Sequence, residues 1–361
     1  MAQTGPSPTD EPARIAWLAE QIGHHSHLYY NVAEPEISDA AFDRLWDELN
    51  SLSPEHPQLN RVGADIDPGS VKVEHMFPMR SLDKATGDEE IHHFVHETAL
   101  GATRFLSQPK LDGSALSLEY RKGRLVRAAT RGSGERGEDV TRNARKVGNV
   151  PERLNIDVDV HVRGEVVMER DVFHSKYSDI SPNPRNLAAG ALRQKRAEGK
   201  AKPSDLVFQA YDAKFPSSAD SHPDAIKPPS TEFDSDILDW LSEVAGICPA
   251  PWKIHQAETP SEVTQLMTQT TQHWANIRDQ HPFEIDGVVF KVDSLATRDL
   301  LGMTAHHPRW ALAWKFPPEE ATSVILEVNW QTGRTGVVTP VARIAPQTVG
   351  GVTVEHTTLH N

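Results

Sequence analysis

The sequence predicts an α+β protein: a small all-α leading segment, a larger region mixing short strands with a few helices, and a closing β segment. Three observations carry this. Apolar residues recur at helical spacing up to about residue 52 and alternate at strand spacing from about residue 69; after Pro317-Pro318 they fall into three runs separated by glycine turns. At 361 residues the chain is too long for one ordinary domain, so two or three are expected. The boundaries read as 1–68, 69–316 and 317–361.

In the leading segment Ile15, Leu18 and Ile22 form one helical stripe, and Phe42, Leu45, Trp46, Leu49 and Leu52 a second. Pro35 separates the two helices, and Pro54 and Pro57 end the second. Ser38 suits its N-cap and Asp39 its first turn. Asp39 and Asp43, four apart, share a face, which by itself is an ordinary solvated acidic face.

In the middle region Leu106-Ser107-Gln108-Pro109-Lys110-Leu111-Asp112-Gly113-Ser114 leads into the alternating run Ala115–Tyr120, a strand with one buried face. Lys110 lies where the chain turns into that sheet, Asp112 faces the same side, and Gly113 admits a ligand or another strand close to the backbone. Val160–Met168 alternates as a strand with Arg163 and Glu165 on one face. Phe283–Val292 and Trp310–Phe316 read as buried strands carrying Lys291 and Lys315. Buried lysines need partners, so these charges are expected to converge on one another or on an anionic ligand. Ser181–Gln194 reads as a proline-started helix with Arg185 and Arg193 about two turns apart, and residues 215–230 as a surface connection. The last strands expected are Ser323–Trp330, Gly336–Ile344 and Val352–Leu359, an incomplete sheet.

Composition narrows the function classes. No apolar run approaches the roughly 18 residues of a membrane span, and the first residues lack a signal-peptide pattern. Cys248 is the only cysteine, which excludes a disulfide framework and a thiolate zinc site and suggests the cytoplasm. The net charge of −14 argues against a general phosphate-backbone binder, but residues 1–68 hold 12 of the 51 acidic residues and only 3 of the 37 basic ones. The remainder is free to present a local basic face. His92 and His96 stand at i,i+4 spacing and His24, His25 and His27 cluster; without a third ligand in register they read as solvated helix faces rather than zinc ligands.

Lys110, Glu165, Lys291, Lys315, Arg185 and Arg193 together suit reaction at a phosphorus centre. A carboxylate among them can hold hydrated Mg²⁺ (or Mn²⁺). A lysine becomes nucleophilic when neighbouring cations lower its pKa, and that crowding is expected around Lys110.

With these stretches in view the chain resembles the bacterial NAD⁺-dependent DNA ligases from about Ala13 onward. The matching motifs are Leu28-Tyr29-Tyr30, Pro35-Glu36-Ile37-Ser38-Asp39-Ala40-Ala41-Phe42-Asp43, Met79-Arg80-Ser81-Leu82-Asp83, Lys110-Leu111-Asp112-Gly113, Thr130-Arg131-Gly132 and Gly137-Glu138-Asp139-Val140-Thr141. They continue with Arg163-Gly164-Glu165-Val166, Asn183-Pro184-Arg185-Asn186, Ile285-Asp286-Gly287-Val288-Val289, Pro308-Arg309-Trp310-Ala311, Lys315-Phe316-Pro317, Gly333-Arg334-Thr335-Gly336 and Thr358-Leu359-His360-Asn361.

The resemblance implies a helical domain for the nicotinamide mononucleotide half of NAD⁺, a nucleotidyltransferase domain of ATP-grasp-like ligase type with antiparallel sheets, and the start of an OB-fold. It implies that Tyr29, Tyr30, Asp39, Phe42 and Asp43 line the nicotinamide nucleotide site, and that Ser81, Leu82 and Gln108 contribute to cofactor binding. Lys110 would attack the adenylate phosphorus; Asp112, Arg131 and Glu165 would surround the ribose and the metal. Lys291 and Lys315 would hold the α-phosphate, Tyr211 would stack on adenine, and Asp286 would hold metal-bound water. Arg185, Arg193 and Arg278 would order phosphates, with Arg193 nearest the nick. The implied partners are NAD⁺ as co-substrate and nicked double-stranded DNA, with no membrane, for a monomer at the bacterial nucleoid.

Gln108 departs from the family, which usually has Glu two residues before the nucleophile; its carbonyl can accept the same adenine amino hydrogen bond at lower strength. Lys84 stands where Asn is usual and Ser133 where Asp is usual. The zinc, helix-hairpin-helix and C-terminal modules of longer relatives are missing, so a fragment or a short protein is expected, and by itself it should seal nicks poorly. Two alternatives stay open: a non-catalytic nucleotide- or DNA-binding relic, and an ATP-dependent ligase or capping-type nucleotidyltransferase sharing the lysine motif.

Overall fold

The computed structural model describes residues 11–27, 37, 39–54, 56–60, 71–195, 199–304, 307–317, 321–332, 338–349 and 352–359. The chain divides into two compact units, residues 66–316 and the remainder.

The leading helices are α1 (Glu11–His27) and α2 (Asp39–Leu52). The two stripes expected from the sequence meet: Leu18, Ile22, Leu49 and Leu59 are buried, with Ile15, Phe42, Leu45, Trp46 and Leu52 packed against them. Arg14 forks onto Glu48 at 2.6 and 2.5 Å, the bidentate geometry that ties one helix to the other. His25 is buried, not solvated as expected, because it lies on the inner side of α1. Pro35 and Ser38 fall outside the described residues.

The central unit holds two larger sheets. The five-stranded one runs β2 (Asp83–Ala85), β11 (Ala311–Lys315), β10 (Ile285–Val292), β3 (Arg104–Leu111), β9 (Lys253–Gln256); its pairs are antiparallel except β2 with β11. On one face Phe105, Val288, Phe290, Leu312 and Trp314 pack with α3 (Asp88–His93) and α8 (Pro260–Ile277), through Ile91, Val263 and Met267. Pro109 is tolerated in this central strand because β9 pairs only with Arg104–Ser107, so no neighbour waits for its missing N–H on that side.

The four-stranded antiparallel sheet runs β5 (Arg124–Thr130), β4 (Ser114–Arg121), β7 (Val160–Met168), β8 (Leu206–Lys214). Leu116, Leu118, Tyr120, Val162, Val166 and Phe208 share its core face, packed with residues of α4 (Thr141–Ala144), α5 (Arg170–Lys176), α6 (Pro184–Arg193) and α7 (Asp234–Trp240). The alternation puts Ser117, Glu119, Arg163 and Glu165 on the opposite face. A short ribbon pairs β1 (Lys72–Glu74) with β6 (Arg136–Glu138), and α9 (Leu295–Leu301) follows β10. α6 starts as the sequence suggested, with Asn183 accepting from the Asn186 N–H and Pro184 in the first turn.

The closing segment is an antiparallel meander of β12 (Ile325–Thr332), β13 (Val338–Val349) and β14 (Val352–Thr358). β13 runs five residues beyond the expected end at Ile344, continuing its pairing with β14 after a register shift. No described helix is long and apolar enough to cross a membrane.

Candidate active site

Only Asp112 and Gly113 separate β3 from β4, so the chain passes from one sheet to the other within two residues. Gly113 is required there: a Cβ would lie 2.2 Å from the Val166 carbonyl oxygen, so the close neighbour is strand β7 rather than a ligand. Lys110 is the penultimate residue of β3, already inside the sheet rather than at its entry.

The strand registers place the site. Lys110 pairs with Gly287, which pairs with Lys315, so the two lysines flank a glycine across three adjacent strands. Gln108 with Val289, and Leu106 with Lys291, follow on the same face by the two-residue period. That face is opposite the one covered by α8. Between Ile285 and Gly287 the register shifts, and Asp286 is the extra residue. Bulges turn a side chain out of the pleat, and this one turns the Asp286 carboxylate onto the Lys110 ammonium at 2.8 and 2.7 Å.

Two further carboxylates approach Lys110. Asp112 lies 2.5 Å from Arg185, and Glu165 accepts a hydrogen bond from the Gly113 N–H. Burial alone would push the Lys110 ammonium down, but Asp286, with Asp112 and Glu165, outweighs it and holds the group well above the ordinary lysine value. This corrects the expectation of cation crowding: the groups that set its charge are anions. Burial pushes the Glu165 carboxyl up to about 8, against the opposing pull of Lys110 and Arg131. A half-buried carboxyl left so poorly compensated favours an added cation.

The other expected residues divide. Tyr211 is the extra residue of a second bulge, where Arg163 pairs with Asp212 and Gly164 with Ala210; the Tyr211 ring is half-buried near Glu165 and Arg131. Gln108 is buried and its Nε2 has no hydrogen-bond partner, an orphaned donor on the site face. Ser81 and Leu82 are half-buried just before β2, which pairs with β11. Arg185 joins the cluster, with burial lowering its pKa to about 10, still cationic at neutral pH. Arg193 bonds the Ala189 carbonyl of its own helix, and Arg278 lies over the Phe316 ring at 5.2 Å; neither is brought onto Lys110 by these contacts. Phe42 packs in the helical pair, 6.3 Å from Trp46. Tyr29 and Tyr30, and the side chains of Asp39 and Asp43, lie outside the described residues.

Lys291 is not free on the site face. It contacts Asp234 at 2.8 Å and donates to the Tyr211 carbonyl at 2.8 Å. Asp234, Arg298 and Asp212 are buried charges that sequence reading missed. The only signal was Asp234 opening a helix, where an acid is unremarkable.

Among the described residues no group of three or more His, Cys, Asp and Glu side chains could hold a metal alone. His92 and His96 stack at 4.0 Å without a third ligand. Glu165, Asp286 and Asp112 are the carboxylates gathered around Lys110.

A cavity of about 300 Å³ lined by Ser107, Trp252, His255 and Trp274 opens on the other face of β3, away from Lys110.

Curated relatives and family models place the chain in a family. A DNA ligase of Solibacter usitatus is 37% identical over 98% of this chain and 54% of its own length. One of Alkalilimnicola ehrlichii is 40% identical over 100% of this chain and 54% of its own. The chain thus spans about half the length of the curated relatives it matches. Among solved structures, an ATP-dependent DNA ligase from bacteriophage T7 in complex with ATP aligns at TM-score 0.33 and 14% identity, over 77% of this chain and 80% of that one. Residues 8–64 match the model of the DNA ligase-like N-terminal NAD⁺-binding domain, and residues 322–361 that of the NAD-dependent DNA ligase OB-fold domain. Residues 69–319, which contain the whole Lys110 cluster, match the NAD-dependent DNA ligase adenylation domain, and the chain belongs to that family.

Proposed function

We propose that this chain is the adenylating part of an NAD⁺-dependent DNA ligase, with Lys110 as its nucleophile. The observation that carries the reading is Lys110 near the end of central strand β3, ringed by Asp286, Asp112 and Glu165 and one glycine away from Lys315. Lys110 Nζ attacks the adenylate phosphorus of NAD⁺; an N–P bond forms and the P–O bond to nicotinamide mononucleotide breaks, so that the mononucleotide leaves. The ammonium must first lose a proton, and the Asp286 oxygens at 2.7 and 2.8 Å are the nearest acceptors. Lys315 and Lys291 balance charge on the α-phosphate, and Gln108 meets the adenine edge with Tyr211 against its ring. Arg131 and Asp112 serve the ribose.

Mg²⁺ or Mn²⁺ held by Glu165, and by Asp286 through water, would neutralise charge developing on the phosphate. Such an ion would favour the ionised form of Glu165 and would place water-mediated positive charge beside Asp286. Tyr29, Tyr30, Asp39, Phe42 and Asp43 hold the departing mononucleotide, and Ser81, Leu82 and Arg278 complete the cofactor site. The adenylate passes to the 5′-phosphate of a nick, Arg185 and Arg193 order the phosphates, and the 3′-hydroxyl closes the backbone. Domains 1–68, 69–316 and 317–361 divide these tasks in a monomer working at the bacterial nucleoid.

Release of nicotinamide mononucleotide tests this. NAD⁺ with Mg²⁺ should release one equivalent from the wild-type chain and none from Lys110→Ala. Equal release from both would assign the chemistry to another residue.

A further inference from the structure

Lys291 stands on the same sheet face as Lys110 with its side chain 8% exposed, and Asp234 beside it is fully buried. A single Asp234 oxygen faces both Lys291 Nζ at 2.8 Å and an Arg298 nitrogen at 2.9 Å. Arg298 is fixed in turn: its Nε donates to the Val292 carbonyl at 2.5 Å and its guanidinium lies over Trp310 at 4.4 Å. From β8, Asp212 also acts on Lys291 and is paired with Arg163 of β7, while the Tyr211 carbonyl accepts from the ammonium. One buried carboxylate thus serves two buried cations, and buried ions persist only when paired. Of the three N–H donors of the lysine the Tyr211 carbonyl takes one, and Asp234 lies at ion-pair distance.

We propose that Asp234 and Arg298 are positioning residues for adenylate transfer: Asp234 orients Lys291 and keeps it charged inside the protein, and Arg298 competes for the same carboxylate. The inference rests on the reading that the chain adenylates itself from NAD⁺. Burial pushes the Lys291 ammonium down, Asp234 pushes it up and Arg298 down again, for a net value below that of ordinary lysine. Removing each partner should therefore move Lys291 in opposite directions.

The test is the single-turnover rate of lysyl-AMP formation from NAD⁺ and Mg²⁺ across pH, with thermal unfolding measured in parallel. Arg298→Gln should move the upper break of the pH–rate profile about one unit to higher pH, and Asp234→Asn about one unit to lower pH. At a pH well above the wild-type break, Asp234→Asn should run about tenfold slower than wild type. If Asp234→Asn does not fold, Arg298→Gln decides alone, because it leaves a balanced Lys291–Asp234 pair. A purely structural role lowers thermal stability without moving the break. Folded variants that keep the wild-type profile, or an Arg298→Gln break that stays put, would overturn the inference while the wild-type chain still labels. A wild-type chain that forms no lysyl-AMP overturns the underlying reading instead, and is seen before any variant is made.

Discussion

Replacing Glu165 by Gln should stabilise the free protein while disabling it. Burial raises the Glu165 carboxyl from its ordinary 4.5 to about 8. Its folded-state pKa therefore lies above the unfolded one, so folding favours the proton-bound form. The contribution is complete below pH 4.5 and is lost as pH rises through about 8. A shift of that size corresponds to about 5 kcal/mol in the limit. The carboxyl is only half-buried, and solvent screening brings this to about 2 kcal/mol. In a domain of this size that is roughly 4–8 °C in melting midpoint. Thermal unfolding without nucleotide or metal should thus show Glu165→Gln matching wild type near pH 4.5 and melting higher by that amount at pH 9. Adenylation from NAD⁺ should fall by about a hundredfold or more in the same variant, because the carboxylate proposed to serve ribose and metal is gone. Equal melting of the two proteins at both pH values would refute the electrostatic account of Glu165.

Other substitutions probe neighbouring parts of the site. Gln108→Met removes the orphaned Nε2 and should raise free-protein stability by about 1 kcal/mol in urea unfolding, while raising KM for NAD⁺; an unchanged KM would separate Gln108 from the adenine. Gly113→Ala drives a Cβ into the Val166 carbonyl and should cost about 3 kcal/mol or more, read as a loss of soluble yield or a lowered midpoint. Asp39→Ala should slow reaction with NAD⁺ but spare transfer from pre-adenylated protein to nicked DNA; equal losses in both steps would indicate a folding defect.

Much of this was legible in the sequence because local period decides it. β7 coincides with the alternating run Val160–Met168, and the register across β3, β10 and β11 aligns the face that carries Lys110, Lys291 and Lys315. Where reading failed, the cause was long-range. The charge around Lys110 depends on a bulge at Asp286, 176 residues away, and no local pattern announces a bulge. Asp234 and Arg298 lie 57 and 7 residues from Lys291 along the chain, in helices α7 and α9, and only the fold brings both onto one ion-pair cluster with it. Burial of His25 likewise depends on which side of α1 meets its neighbours, a matter the histidine cluster alone did not settle.

The central claim is that Lys110 takes adenylate from NAD⁺. Intact-mass measurement of the chain after incubation with Mg²⁺ and either NAD⁺ or ATP, followed by peptide mapping, tests it most directly. The account predicts one added adenylate with NAD⁺, none with ATP, and its location on Lys110. No adduct with NAD⁺, an adduct from ATP alone, or an adduct on another residue would contradict it.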